Sequence, residues 1–94
     1  MTVGLLAATI RQVPGVSSVV RWQQHGHDRL YIQWHDSEPD AQTYIDLKSA
    51  VLFGSGTWRY DPNEIGRRGL NTIRELLTVY RRERVQELQS AVRA

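Results

Sequence analysis

The most concentrated chemistry in this sequence is a series of arginines near its C-terminal end. Arg67, Arg74 and Arg81 stand seven residues apart, so an α-helix would align them along one stripe about 21 Å long. Neither Arg74 nor Arg81 has an acidic residue three or four positions away to neutralise it within the helix. Because guanidinium groups bind phosphates and carboxylates, the stripe predicts a surface that meets an anionic partner.

The same C-terminal segment carries the whole excess of positive charge. The formal net charge of the chain is +2; residues 61–94 hold seven basic and five acidic side chains, and residues 1–60 hold five of each. A solvated helix face is the ordinary explanation of such a run, and contact with an anionic partner is the functional one. The side chains predicted to make that contact are all arginines: Arg67, Arg68, Arg74, Arg81, Arg82 and Arg84.

Aromatic and basic side chains on the predicted strands form a second candidate site. Arg21, Arg29, Tyr31 and Tyr44 are predicted to share the open face of a sheet, because they alternate with apolar residues. Rings on such a face can stack on unpaired bases, and arginines beside them can contact phosphates. These four residues are therefore secondary candidates for binding a single-stranded nucleic acid.

The three tryptophans are assigned differently. Trp22 and Trp34 fall on the apolar positions of their strands, so both are predicted to lie in the core. Trp58 follows a glycine pair and precedes Arg59, and its environment is left open.

No combination of residues predicts catalysis or a bound metal. His25 and His27 offer two ligands beside a turn but define no third, so ordinary turn residues are the favoured interpretation. Gly54-Ser55-Gly56 has no following lysine and no immediate helix, which favours a flexible turn over a phosphate-binding loop. Cysteine is absent, and no Ser-His-Asp or paired-carboxylate spacing stands out. We therefore expect a protein that is not an enzyme, with no catalytic residue, metal or cofactor.

Capping residues and apolar spacing predict two helices. Thr2 caps the first helix, and Pro14-Gly15 ends it. Asp61-Pro62-Asn63-Glu64 has the composition of a capping box, so a second helix is predicted to begin there. A buried stripe of this long helix is expected at Ile73, Leu76, Leu77 and Tyr80. Residues 85–94 continue the apolar pattern out of phase, and they are predicted to protrude as a helical tail or to pack on a partner.

Four short strands are predicted between the helices. Their bounds are Val16–Gln24, Arg29–His35, Thr43–Leu47 and Val51–Phe53. Val20 and Trp22 would share the apolar face of the second strand only if the first hairpin loop had an odd number of residues. We therefore expect a loop of three to five residues around Gly26, and an exposed acidic loop over residues 35–42.

These elements predict a single α+β domain over residues 1–94. An antiparallel sheet of three or four strands, built from two hairpins, would follow an N-terminal helix and precede a long C-terminal helix. The predicted order is α-β-β-β-β-α, and both helices are expected on one face of the sheet.

The function predicted first is that of a small, non-enzymatic, nucleic-acid-associated or regulatory protein. It would use the arginine-rich helix to contact its anionic partner. The alternative is a protein-interaction adaptor or inhibitor that binds an acidic protein surface or self-associates as a homodimer, because the acidic loop and the basic helix have opposite charges. With no run of about 18 apolar residues and no signal-peptide pattern, we expect a cytoplasmic protein with no membrane partner.

Overall fold

The structure is a computed structural model that describes residues 1–35, 42–55 and 64–93. Two helices flank four strands along the chain: α1 (Val3–Arg11), β1 (Val16–Gln24), β2 (His27–Trp34), β3 (Gln42–Asp46), β4 (Val51–Ser55) and α2 (Glu64–Arg93). The strands form one antiparallel sheet in the order β1-β2-β3-β4. The predicted α+β class and the order α-β-β-β-β-α are confirmed.

Some predicted features lie outside the described residues. They are the acidic segment 36–41, the segment 57–60 with Trp58, and the cap at Asp61-Pro62-Asn63.

Helix α1 begins where its capping residue predicts. The Thr2 hydroxyl accepts a hydrogen bond from the Leu5 backbone N–H at 3.1 Å, which satisfies one of the free donors of the first turn. The helix buries Leu6 and Ile10 completely. It therefore covers one face of the sheet with an apolar stripe of helical spacing.

The hydrophobic core lies between the two helices and one face of the sheet. Ile73 and Leu77 of α2 are fully buried against Leu30 and Ile45 of the two central strands. The position of α2 depends on Gly69, where an added Cβ would stand only 2.6 Å from the Trp34 ring. Glycine thus allows the helix backbone to approach the tryptophan, which is buried as predicted.

The first hairpin differs from the prediction. Its loop is the two-residue turn His25-Gly26, and both residues have positive φ angles, 51° and 77°, as in the turns that match strand twist. A register shift between Val16 and Ser18 forms a β-bulge in β1, which changes the face on which later side chains lie. Val16 and Val19 consequently enter the core.

The loop of three to five residues and the core position of Trp22 were therefore wrong. Val20 pairs with Tyr31, and Trp22 with Arg29, so both lie on the sheet face opposite the helices. The sequence interpretation required a loop with an odd number of residues, and the two-residue turn instead pairs Trp22 with Arg29, which puts both Val20 and Trp22 on the other face.

Helix α2 continues well beyond its buried stripe. Val85 and Leu88 are 52% and 62% exposed, and the helix extends to Arg93. The independent role predicted for residues 85–94 stays a prediction. Over the described part of the chain, no helix combines the length and the apolarity needed to cross a membrane.

Candidate interaction surface

Two of the six arginines predicted to contact an anionic partner hold the β3–β4 turn. Arg81 Nε donates to the Ala50 carbonyl at 2.7 Å, and Arg84 Nη1 donates to the carbonyls of Leu47 and Lys48 at 2.8 and 3.0 Å. Ala50 has a positive φ of 54°, so the turn is tightly specified. These guanidinium groups satisfy backbone acceptors of the protein itself, and their N–H groups are partly used before any partner arrives.

The remaining arginines of the stripe do not form one array with these two. Arg68, Arg74 and Arg82 are exposed, and Arg74 Nη1 donates to the Asn71 side chain at 3.1 Å. Arg67 belongs to α2, but its side chain is outside the described part. The structure therefore separates the predicted set into turn-holding and solvent-facing arginines.

Arg21 does not lie where the sequence interpretation placed it. It pairs across the hairpin with the buried Leu30 and so projects on the helix side of the sheet. Its guanidinium donates two hydrogen bonds to Asp28, at 3.0 and 2.9 Å. The hydrogen bond from Arg21 is the main cause that lowers the pKa of the Asp28 carboxyl. Arg21 is thus excluded from the open-face set by the same two-residue turn that places Trp22 on that face.

The sheet surface opposite α1 and α2, here called the open face, includes two neighbouring rows of side chains, beside the polar pair Ser18 and Gln33. Directly paired residues of adjacent strands share a face, so the strand registers define each row. The aromatic row runs across the four strands through Val20, Tyr31, Tyr44 and Phe53. The charged row beside it runs through Trp22, Arg29, Asp46 and Val51.

The rings of the open face pack against one another. Tyr44 and Phe53 are stacked, with centroids 5.1 Å apart and planes at 17°. Tyr31 contacts Tyr44 at 5.4 Å, and Trp22 meets the edge of Tyr31 at 6.2 Å. Because the rings contact one another, less of each ring face is available for stacking on a base than in a set of separate rings.

Arg29 lies within this layer of rings. Its guanidinium carbon is 4.7 Å from the Tyr44 centroid and 5.8 Å from the Trp22 centroid, both within cation–π range. Its Nη1 donates to the Tyr31 hydroxyl at 3.1 Å, and this bond is the main cause that raises the pKa of Arg29. Tyr44 consequently contacts a cation on its β2 side and Phe53 on its β4 side, which leaves it less ring surface for a base.

Several apolar side chains of the open face are strongly exposed. Val20 is 57% exposed, Phe53 44% and Val51 39%. The outer face of an antiparallel sheet is normally polar, and monomeric proteins rarely expose connected apolar patches of this kind. These three side chains leave apolar surface exposed to solvent on the open face.

Sequence reasoning found part of this surface and missed the rest. Arg29, Tyr31 and Tyr44 share the open face as predicted, whereas Val20 and Trp22 were assigned to the core. The signal that could have found them is His25-Gly26, since histidine accepts a positive φ more readily than most residues and glycine is favoured there.

The histidines of the hairpin have structural surroundings. His25 occupies the turn, and the His27 ring is parallel to Trp22 within 18°, with centroids 6.2 Å apart. In the described ranges, no three His, Asp or Glu side chains gather closely enough to hold a metal ion.

In comparisons with protein-family models, with curated proteins and with solved structures, nothing matches this chain.

Proposed function

We propose that this protein is a non-enzymatic protein-interaction module that binds its partner through the open face. The observation that carries this proposal is the connected apolar and aromatic layer formed by the two rows. When a partner removes such a layer from water, the free energy of the complex is lowered by about 25 cal/mol per Å² of apolar surface buried. Aromatic residues and arginine are also the types enriched at the centres of protein interfaces.

Three features favour a protein partner over a nucleic acid on this face. The ring faces are largely used within the layer, as in the Tyr44–Phe53 stack. The charged row carries one cation, Arg29, and one anion, Asp46, so it offers no positive field to a phosphate chain. The strongly exposed side chains of the face include the apolar Val20 and Phe53. The first two features weaken base stacking and phosphate binding, and the third makes apolar burial the main driving force.

A matched pair of variants tests the proposal. Val20→Lys places a charge in the aromatic row, and Leu5→Lys makes the same change on α1 at nearly the same exposure, 57% against 55%. Immobilised wild-type protein in a nuclease-treated native lysate is expected to retain a protein partner. Val20→Lys is expected to lose it, and Leu5→Lys to keep it.

The nuclease treatment separates this proposal from its competitor. If material is retained only without nuclease, the partner is a nucleic acid and the proposal fails. Equal retention by wild type and Val20→Lys would also contradict it, because the binding would not involve the open face. Circular dichroism of each variant verifies that the fold is kept.

Nucleic-acid binding by α2 is a second candidate, supported by the exposure of Arg74 and Arg82. Its test is binding to a panel of DNA and RNA oligonucleotides at low salt. The double change Arg74→Glu/Arg82→Glu should abolish binding that falls steeply with salt, and Val20→Lys should leave it intact. Absence of any binding at low salt would remove this candidate.

A further inference from the structure

We propose that the partner of the open face is a second copy of this chain, packed sheet against sheet. The inference rests on the proposed function and names the partner of that same surface. In the arrangement proposed, a two-fold axis parallel to the strands passes between β2 and β3. It places β2 over β3 of the second copy and β1 over its β4.

The aromatic row is self-complementary under this axis. Because Tyr31 and Tyr44 are direct cross-strand partners, the axis sets Tyr31 over Tyr44 of the second copy, and Tyr44 over its Tyr31. At the edges, Val20 of β1 meets Phe53 of the second copy, so a small side chain faces a large one. These two edge residues are 57% and 44% exposed, which leaves both free to interdigitate across the layer.

The charged row is self-complementary under the same axis. Arg29 and Asp46 are also direct cross-strand partners, so Arg29 comes to lie over Asp46 of the second copy, and the reverse. Trp22 then faces Val51 of the second copy, again a large side chain against a small one. Two ion pairs and two apolar contacts therefore follow from a single symmetry operation, as a closed two-fold dimer requires.

Both charged groups are prepared for such a pairing. Asp46 Oδ1 accepts the backbone N–H groups of Lys48 and Ser49 at 2.9 and 3.1 Å, which fixes the carboxylate in position. Arg29 Nε is buried and has no hydrogen-bond partner among the described residues. A carboxylate supplied from the facing sheet would be an acceptor for the N–H groups of this guanidinium.

The other simple arrangement lacks this complementarity. A two-fold axis running across the strands, between the rows, would set the aromatic row over the charged row. Arg29 would then face Tyr31 of the second copy and Asp46 would face its Tyr44, leaving both charges without an opposite charge in the facing copy. Sheets that pack face to face keep their strands aligned within about 30°, which both axes allow, so the pairing of opposite charges is what favours the first axis.

Sedimentation equilibrium of the purified chain tests the dimer. Wild type and Leu5→Lys should behave as dimers that dissociate on dilution. Val20→Lys should weaken the dimer roughly tenfold or more, because it buries unpaired charges at the interface. A dimer that Val20→Lys leaves intact and Leu88→Lys disrupts would overturn the inference, since the contact would then lie on α2.

Disulfide trapping tests the axis itself, and the absence of native cysteines makes the result unambiguous. Val20→Cys/Phe53→Cys should form a covalent dimer on mild oxidation, because the thiol at position 20 of one copy faces the thiol at position 53 of the other. Within one chain the two positions are three strand spacings apart, about 14 Å, too far for a bond. Val20→Cys alone should stay monomeric under denaturing conditions, since the axis places the two introduced thiols at opposite edges.

The result also separates this inference from the proposed function. If wild type is a monomer at every concentration, the second copy is excluded; if wild type is a dimer but the double-cysteine variant does not cross-link, the proposed axis is wrong. The capture assay with Val20→Lys and Leu5→Lys then decides the function on its own, because it detects any protein partner of the open face.

Discussion

Gly69 lies so close to the buried Trp34 ring that no side chain fits at its position. We expect Gly69→Ala to destabilise the protein by about 1–3 kcal/mol, because the added Cβ would lie 2.6 and 2.7 Å from two carbons of a buried ring. The steric cost outweighs the roughly 1 kcal/mol by which alanine is more favourable than glycine inside a helix. Urea denaturation monitored by circular dichroism measures the difference.

Gly4→Ala in α1 is the control for that substitution. The nearest atom to its added Cβ would be Thr2 Oγ1 at 3.9 Å, an ordinary contact, so only the gain in helix propensity remains. The two substitutions should therefore have opposite signs. Stabilisation by Gly69→Ala would mean that α2 does not pack on Trp34 as the structure shows.

The ion pair of Asp28 with Arg21 makes stability depend on pH. Because the folded protein lowers the pKa of Asp28, its contribution is complete above the pKa of the unfolded carboxyl, about 3.9. The contribution is lost as the pH falls through the lower folded pKa. Asp28→Asn should consequently reduce stability at pH 6 and show a smaller further loss between about pH 4 and pH 2.

Urea midpoints of wild type and Asp28→Asn across this pH range provide the measurement. Glu75→Gln changes an exposed carboxylate of α2 and should leave the acid dependence of wild type nearly unchanged. If Asp28→Asn lost stability in acid as steeply as wild type does, the Arg21–Asp28 contact would not be its cause.

Among the elements, α2 is joined to the β3–β4 turn by arginines rather than by apolar contacts alone. We expect Arg81→Met and Arg84→Met each to cost about 1–3 kcal/mol, since each leaves partly buried carbonyls without a charged donor. Arg74→Met and Arg82→Met, on the solvent side, should change stability by about 0.5 kcal/mol or less. Chemical denaturation of the four variants checks this division.

An equal effect of all four substitutions would contradict the division. It would mean that the exposed arginines stabilise the helix as much as the turn-holding ones do. The contrast also matters for function, because Arg74 and Arg82 are exposed, whereas the guanidinium groups of Arg81 and Arg84 are bonded to the β3–β4 turn.

The elements differ in how far their positions could be predicted. Thr2 capped α1 as expected, because a cap depends on residues three positions apart. The face of Trp22 was not predictable from alternation alone, since the length of the hairpin turn decides which residue of β2 it pairs with. Three of the four sheet-face candidates, Arg29, Tyr31 and Tyr44, shared a surface as expected, because no bulge separates them.

For the molecule as a whole, self-association would make stability depend on concentration. A folded dimer that forms from unfolded monomers gains stability by mass action. We therefore expect the thermal unfolding midpoint of wild type to rise over a hundredfold increase in protein concentration. Val20→Lys should show a smaller rise, because its dimer is weaker, and scanning calorimetry at several concentrations measures both.

A constant midpoint for wild type would argue against the proposed dimer at those concentrations. Leu5→Lys serves again as the control, because it adds the same charge away from the open face and should keep the concentration dependence.

Local patterns in the sequence were enough to identify and order the elements, because caps, apolar periods and turn residues act over a few positions. The faces that those elements present depended on the folded chain. The turn at His25-Gly26 placed Trp22 outside the core, the bulge after Val16 allowed Val16 and Val19 both to be buried, and the side chain of Arg81 reached a carbonyl 31 residues away. Such choices depend on strand register and on contacts between distant segments, which local patterns do not encode.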